Sequence, residues 1–232
     1  MENRYIRTQW LIGEDAVENL KRSSVLLFGI GGVGSYTAEA LARSGVGKIT
    51  IVDCDTVSIT NINRQIPALT STVGKNKTDV MAERMRDIAP DAEIETINVF
   101  VSPETIDRFD FSKYDFVIDA VDNVTAKLLI IKGCDAVDTP VISCMGTGNK
   151  LDPSRFKITD ISKTQTCPLA RVMRRELKKA GVSKCLALWS DEEPVKLQEG
   201  ERLPGSISFV PATAGLRIAG EVILRLAKVK RS

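Results

Sequence analysis

The segment Ser24-Val25-Leu26-Leu27-Phe28-Gly29-Ile30-Gly31-Gly32-Val33-Gly34-Ser35 carries the architecture of the whole chain. Its opening run is apolar and ends at a glycine, the pattern of a strand buried on both faces. Gly29-x-Gly31-x-x-Gly34 then leads into a stretch rich in Ala and Leu that reads as a helix to Ser44. Lys48-Ile49-Thr50-Ile51-Val52-Asp53 follows as a second strand, and Asp53 falls 19 residues after Gly34. The first glycine permits a tight turn, and the later ones let backbone approach a phosphate and the sheet. The helix N-terminus behind them carries roughly +0.5 charge, which favours an anion. Asp53 is placed to accept hydrogen bonds from a ribose. By itself this turn does not separate NAD, FAD and ATP.

Outward from the turn, strands and helices alternate. A short helix over 14–22 precedes it, with Val17 and Leu20 on the apolar side. Periodicity predicts a helix over 75–89, with Val80, Met81, Met85 and Ile88 on one face and Pro90 as its stop. A strand from Glu93 to Val101 comes next, then a helix starting at Ser102-Pro103. Phe116 to Asp119 reads as a strand, Asn123 to Ala136 as a helix and Pro140 to Cys144 as a strand. This alternation predicts an α/β fold of Rossmann type, a doubly wound and mostly parallel sheet. After Gly146 the pattern loosens. Expected there are a strand at Arg155 to Ile158, a helix over 170–181, a polar mobile loop over 187–206, a strand at Ser206 to Val210 and a closing helix from Ala212 to Lys228. The reading is one domain over 1–232, with a nucleotide-binding half (1–146) and a divergent, loop-rich half (147–232) for substrate and dimer contacts.

Composition narrows the chemistry. An apolar fraction of 43% and a charged fraction of 27% over 232 residues exclude a disordered or collagen-like chain. Histidine is absent, which removes Ser-His-Asp and Cys-His catalysis and every His-containing zinc site. Cys54, Cys134, Cys144, Cys167 and Cys185 are odd in number and form no C-x-x-C pair, so neither a zinc ribbon nor a disulfide framework is expected. A reducing, cytoplasmic setting follows. The polar Met1 to Trp10 is no signal peptide, and no stretch is long and apolar enough to span a membrane.

Two further pieces speak for a nucleoside triphosphate. Asp53-Cys54-Asp55-Thr56-Val57-Ser58 runs into Thr60-Asn61-Ile62-Asn63-Arg64-Gln65, and Lys77 follows 13 residues after Arg64 in the first turn of the next helix. A nicotinamide site needs no such cations, whereas β- and γ-phosphates need several positive donors. Asp119-Ala120-Val121-Asp122-Asn123 lies at the C-terminal end of a predicted strand, where open α/β sheets bind ligands. A carboxylate there suits Mg²⁺ with waters and phosphate oxygens. Asp122 or Asn123 also fits the N-cap of the following helix.

Gly-x-Gly-Gly-x-Gly, Asp-x-Asp-Thr-Val, Asn-x-x-Arg-Gln, Lys and Asp-Asn together resemble the ubiquitin-activating-enzyme-like adenylyltransferases of the MoeB/ThiF/HesA superfamily, over residues 4 to about 146. The resemblance implies homodimers that bind ATP and Mg²⁺ and attack the α-phosphate with a carboxylate, giving an acyl adenylate and pyrophosphate. It places Gly32 at the phosphates, with Gly29, Gly31 and Gly34 in the same nucleotide-binding turn, Asp53 at the ribose, and Asp122 at the metal. Asp55, Asn61, Asn63, Arg64, Lys77 and Asn123 complete the nucleotide site. Arg4-Tyr5-Ile6-Arg7 matches the family's N-terminal Arg-Tyr-x-Arg, which implies that Arg7 reaches the partner subunit's ATP. The C-terminal half lacks the paired C-x-x-C of the zinc-binding members. Its Asp152-Pro153-Ser154-Arg155, Cys167-Pro168-Leu169 and Gly205-to-Ala212 segments are similar to the branch that activates threonylcarbamoyladenosine in tRNA. That branch implies tRNA as partner, with sulfur-relay proteins of the cysteine-desulfurase type as further candidates.

Arg171, Arg174, Arg175, Lys178 and Lys179 recur at helical spacing, so five cations share one helix face, with Glu176 directed elsewhere. Such a stripe suits an RNA backbone. Lys184 extends it, and Arg225, Lys228, Lys230 and Arg231 form a second basic edge. The cysteines read as noncatalytic, because a nucleophile tethered to its own substrate needs no thioester relay. Three rival readings stand beside this one: adenylation of a ubiquitin-like sulfur carrier, an NAD-dependent oxidoreductase, and a noncatalytic nucleotide-binding scaffold.

Overall fold

Two helices, α1 (Ile6–Ile12) and α2 (Glu14–Arg22), lead into β1 (Ser24–Phe28) in the computed structural model, which describes residues 3–182, 184–196 and 204–229. Then follow α3 (Gly34–Ser44), β2 (Lys48–Val52), α4 (Lys77–Ile88), β3 (Glu93–Ile97), β4 (Phe116–Asp119), α5 (Val124–Ala136) and β5 (Val141–Cys144). The second half adds β6 (Phe156–Asp160), α6 (Pro168–Lys179), β7 (Leu186–Ser190) and α7 (Phe209–Leu226). The strands form one sheet in the order β3-β2-β1-β4-β5-β7-β6. All pairs are parallel except β6 with β7, so both halves of the chain share the sheet.

Every side chain of β1 after Ser24 is buried, because helices cover both faces. Val25 and Leu27 face the cluster built with α2, α3, α4 and α7. Leu26 and Phe28 face the cluster built with α5 and α6, where Phe109 meets Phe28 edge-on at 4.9 Å between centroids. Fully burying a side chain of this size stabilises the fold by about 1.5–3 kcal/mol. Strand order reverses between β2-β1 and β4-β5, so a crevice opens at the C-terminal ends of β1 and β4.

The glycine turn is shaped by contact as well as by φ. Gly29 sits at φ +88°, and a Cβ there would lie 2.6 Å from the Ala120 carbonyl oxygen. A Cβ on Gly34 would lie 1.7 Å from the Gly29 carbonyl oxygen.

Several expectations need correction. No helix starts at Ser102-Pro103; only a short turn occupies Ile106–Arg108. Thr105 there spends its hydroxyl on the Phe100 carbonyl at 2.7 Å and receives the Ser102 N–H at 2.9 Å, so local bonds outcompete a helix. The strand expected to run to Val101 ends at Ile97. The loop expected from 187 contains most of β7, whose Ala187, Leu188 and Trp189 are buried between β5 and β6. Residues 197–203 of that loop, and Lys230 and Arg231, lie outside the described residues. Ser206 to Val210 is not a strand, since α7 already begins at Phe209. Helix α1 was not anticipated at all; seven residues with no acidic first turn give little sequence signal. Arg4 and Tyr5 anchor it: the Arg4 guanidinium donates to the Ile88 carbonyl at the end of α4 (2.7 Å), and the buried Tyr5 ring covers Gly45.

The Gly34 contact gives the first prediction. Gly34→Ala should lower Tm by more than Gly220→Ala in α7, where a Cβ would meet nothing within 4 Å, and thermal denaturation followed by circular dichroism would read the difference. Equal Tm values would contradict the packing described.

Candidate nucleotide site

A cavity of about 630 Å³ fills the crevice. Gly29, Gly31 and Gly32 line it with Asp53, Asp55, Asn61, Arg64, Lys77, Asp122 and Asn123. The sequence-predicted set is thus largely brought together from β1, β2, the crossover after β2, α4 and the β4–α5 loop. Gly34, Asn63 and Arg7 are not in its lining.

Asp53 braces the glycine turn. Its Oδ2 accepts the Ile30 N–H at 2.6 Å, and its Oδ1 accepts the Asp55 N–H at 2.8 Å. Each oxygen keeps a lone pair for a further donor. Lys77 is the first residue of α4, where a cation opposes the helix dipole. It is 5% exposed, and its ammonium pairs with Asp55 at 2.7 Å. A buried ammonium at a helix N-terminus, facing the lining of a cavity, is a site prepared for an incoming anion. Arg64 donates to the Thr60 carbonyl and to Asn63 Oδ1, each at 2.9 Å, and its stem packs over Gly32. Asn61 accepts the Ser58 N–H at 3.0 Å, which turns the chain into the Arg64 segment.

Asp122 is exposed and makes no hydrogen bond or ion pair among the described residues. Its carboxylate oxygens are open to a hard cation, and an all-oxygen donor suits Mg²⁺. Asn123 takes the capping role, accepting the Ala126 N–H at 3.0 Å, so the two functions divide between neighbours. Asp53, Cys54 and Asp55 also bring ligand atoms within 4.8 Å of one another, but Asp55 is committed to Lys77.

Asn63 acts as a brace, donating to the Ser206 carbonyl at 3.0 Å and so joining the crossover to the C-terminal half. Arg7 lies on an exposed face of α1 with Trp10 and Leu11, which are 75% and 85% exposed. Two features escaped the sequence reading. Gln65 lines the cavity, is 7% exposed and leaves its buried Oε1 without a partner. Its position after Arg64 was the available signal. Met145 to Lys150, in the loop after β5, and Cys167 to Leu169, at the start of α6, form the facing wall, a juxtaposition that no periodicity reveals.

The basic stripe lies on α6 and forms one side of a groove of about 520 Å³, together with Ile161 and Ser162. Arg171, Arg174, Arg175 and Lys178 line it. Glu176 is not directed elsewhere: the helical turn brings Lys179 to it at 3.2 Å, and the long Arg175 side chain bends round to it at 2.7 Å. Arg174 is half-buried and donates to the Thr164 carbonyl at 2.8 Å. Arg171 and Lys178 carry no such partner among the described residues.

With this geometry in hand, the sequence matches the ThiF family over residues 3–232. The chain belongs to the ThiF family. Relatives of this ThiF-family chain include the tRNA threonylcarbamoyladenosine dehydratase of Bacillus subtilis, 44% identical over 98% of this chain and 96% of that one. The Escherichia coli enzyme of the same name is 42% identical over 75% of this chain and 65% of that one. A crystal structure of the Escherichia coli enzyme in complex with ATP matches at a TM-score of 0.90 and 36% identity, covering 97% of this chain and 94% of that one. Among the described residues, no helix is long and apolar enough to cross a membrane.

The thiols of this ThiF-family chain are guarded. Burial pushes Cys144 and Cys185 up to about 12 and raises Cys134 as well. Cys54 is exposed, but partial burial first and then the Asp55 and Asp53 carboxylates raise it too. A raised pKa means less thiolate at neutral pH and slower attack on electrophiles. Native protein at pH 8 should therefore react with iodoacetamide at Cys54 ahead of Cys134, Cys144 and Cys185, and more slowly than a free thiol, whereas unfolded protein should react at all five. Rapid native labelling of Cys144 or Cys185 would contradict this.

Proposed function

We propose that this chain uses ATP to adenylate the threonyl carboxylate of threonylcarbamoyladenosine in tRNA and then closes the ring with release of AMP. The observation that carries the reading is the convergence of the glycine turn, Arg64, Lys77 and Asp122 on one cavity. The full-length similarity to dehydratases of that name supports the substrate.

The chemistry needs little from acid–base groups. The substrate carboxylate is ionised at neutral pH and is already a nucleophile. Its oxygen attacks the α-phosphorus while the bond to the pyrophosphate oxygen breaks. The carbamoyl nitrogen or oxygen then attacks the activated acyl carbon, the carbamoyl N–H gives up its proton to water, and the bond from the acyl carbon to the phosphate oxygen breaks to release AMP. Both steps run without histidine, which the chain lacks. The demand is electrostatic: charge develops on departing pyrophosphate, and Arg64 and Lys77 are placed to meet it. Asp53 would hold the ribose, Asn61 and the glycine amides the phosphates, and Asp122 Mg²⁺. When bound, that ion neutralises phosphate oxygens.

Arg7 would act on the partner's nucleotide in a homodimer. The exposed Trp10 and Leu11 beside it supply an apolar surface for that contact. Mixed dimers of Arg7→Ala and Asp122→Ala subunits should recover turnover that each variant alone lacks. No recovery in verified heterodimers would exclude action across the interface.

The direct test is ATP-to-AMP turnover on tRNA with and without the threonylcarbamoyl group. Turnover is expected only with the modified tRNA; turnover with a carrier protein ending in Gly-Gly, and none with tRNA, would select the sulfur-carrier reading instead. On the modified tRNA, Lys77→Ala or Arg64→Ala should each lose about 3–4 kcal/mol of transition-state stabilisation, by analogy with removal of a preorganised donor. Near-normal ATP–pyrophosphate exchange in both variants would refute the assignment.

The α6 groove would carry the RNA backbone, with Arg171 and Lys178 as its uncommitted cations. Arg171→Ala with Lys178→Ala should weaken tRNA binding and flatten the dependence of log K on log salt by about 1.5–2. An unchanged slope would remove this face from the interface.

A further inference from the structure

Lys127 and Asp119 form an ion pair of 3.0 Å in which both side chains are fully buried. The pair is fully hydrogen-bonded. Lys127 Nζ donates to Asp119 Oδ2, to Ser143 Oγ at 3.2 Å and to the Cys144 carbonyl at 2.6 Å. Ser143 Oγ also donates to Asp119 Oδ2 at 2.6 Å, and Asp119 Oδ1 accepts the Val121 N–H at 3.2 Å. An apolar pair of similar volume commonly serves stability as well or better, because taking two charges out of water costs so much. Stability is therefore a weak account of this pair, and its connections suggest another.

Two of these bonds, to the Val121 N–H and to the Cys144 carbonyl, end on residues that line the nucleotide cavity. The β4–β5 ladder ends where Asp119 lies opposite Ser143. Past that point the two chains part: β4 enters the Asp122 loop, and β5 continues beside β7 through Cys144. Val121 and Cys144 line the cavity, and Val121 immediately precedes Asp122. Lys127 sits one turn into α5, after the Asn123 cap, and bridges the gap where the ladder stops. The glycine turn also rests on this segment through the Gly29–Ala120 contact.

We infer that Lys127 is a positioning residue: through Asp119 and the Cys144 carbonyl it fixes the Asp122 loop against the facing Cys144–Gly146 wall. The inference rests on the adenylation reading for its kinetic consequence. Asp53, Arg64 and Lys77 come from the end of β2, the crossover after it and α4, to which the Lys127 and Asp119 side chains make no hydrogen bond, so nucleotide binding should survive their replacement. Alignment of Asp122 against the opposite wall should not.

The test is the charge-neutral double variant Asp119→Asn with Lys127→Met, which leaves no buried charge alone. Turnover on threonylcarbamoylated tRNA is normalised to sites that bind ATP by calorimetry, so that loss of folded protein does not count. The expected result is a fall in kcat of about tenfold or more with the KM for ATP within about threefold, since misplacement near 1 Å is enough for such losses. A kcat per binding site within about twofold of wild type would overturn the inference. Ser143→Ala removes the two bonds of the Ser143 hydroxyl, to Lys127 and to Asp119, while leaving the ion pair itself in place; it should shift kcat in the same direction, and no shift would equally overturn the inference if the double variant does not fold. A crystal structure of whichever variant folds separates this inference from the reading it rests on. Displacement of residues 120–123 relative to 144–146 is expected whether or not the wild type adenylates tRNA, and unchanged positions would overturn it.

Discussion

Gly29 and Ala120 meet backbone against backbone, and the site depends on that contact. No side chain fits between them. The turn after β1 and the loop after β4 are consequently held together at the point where strand order reverses. Residues remote in sequence can then share one cavity: the turn brings backbone amides, and the β4 loop brings Asp122. Gly34 adds a second close approach, which sets the entry angle of α3 behind the turn.

Charge is arranged around this frame in compensated pairs. Lys77 would be an uncompensated cation at a helix N-terminus without Asp55. The pair holds the ammonium in place, and phosphate oxygens are natural competitors for it. Asp122, by contrast, is left open. Lys127 and Asp119 are closed on themselves and on the backbone. The cavity therefore brings together Lys77 held by Asp55, Arg64 held by neutral oxygens and the open Asp122 carboxylate, an arrangement suited to a polyanion with its counter-ion.

The first half of the chain was legible because its signals are local. Apolar runs, a glycine turn and a cap are readable residue by residue, and β1, α3, β2, α5 and β5 fall close to where the pattern puts them. The second half was less so. β7 is buried by its neighbours β5 and β6, and nothing within Leu186–Ser190 announces that pairing. The α6 stripe was legible as a face, but the Glu176 pairing depends on side-chain reach. Lys127 had a signal that went unused: it shares the buried side of α5 with Ile130, Ile131 and Cys134, and a cation at a core position demands a partner. Asp119, on the preceding strand, was that partner.

The central claim is that Arg64 and Lys77 meet the phosphates of a nucleotide seated on the glycine turn. A crystal structure with a nonhydrolysable ATP analogue tests it most directly. The account predicts the phosphate chain over Gly31 and Gly32, with Lys77 transferred from Asp55 to phosphate oxygens and Arg64 within hydrogen-bonding distance. A nucleotide bound elsewhere, or one seated here while Lys77 stays with Asp55 and Arg64 turns to solvent, would contradict it.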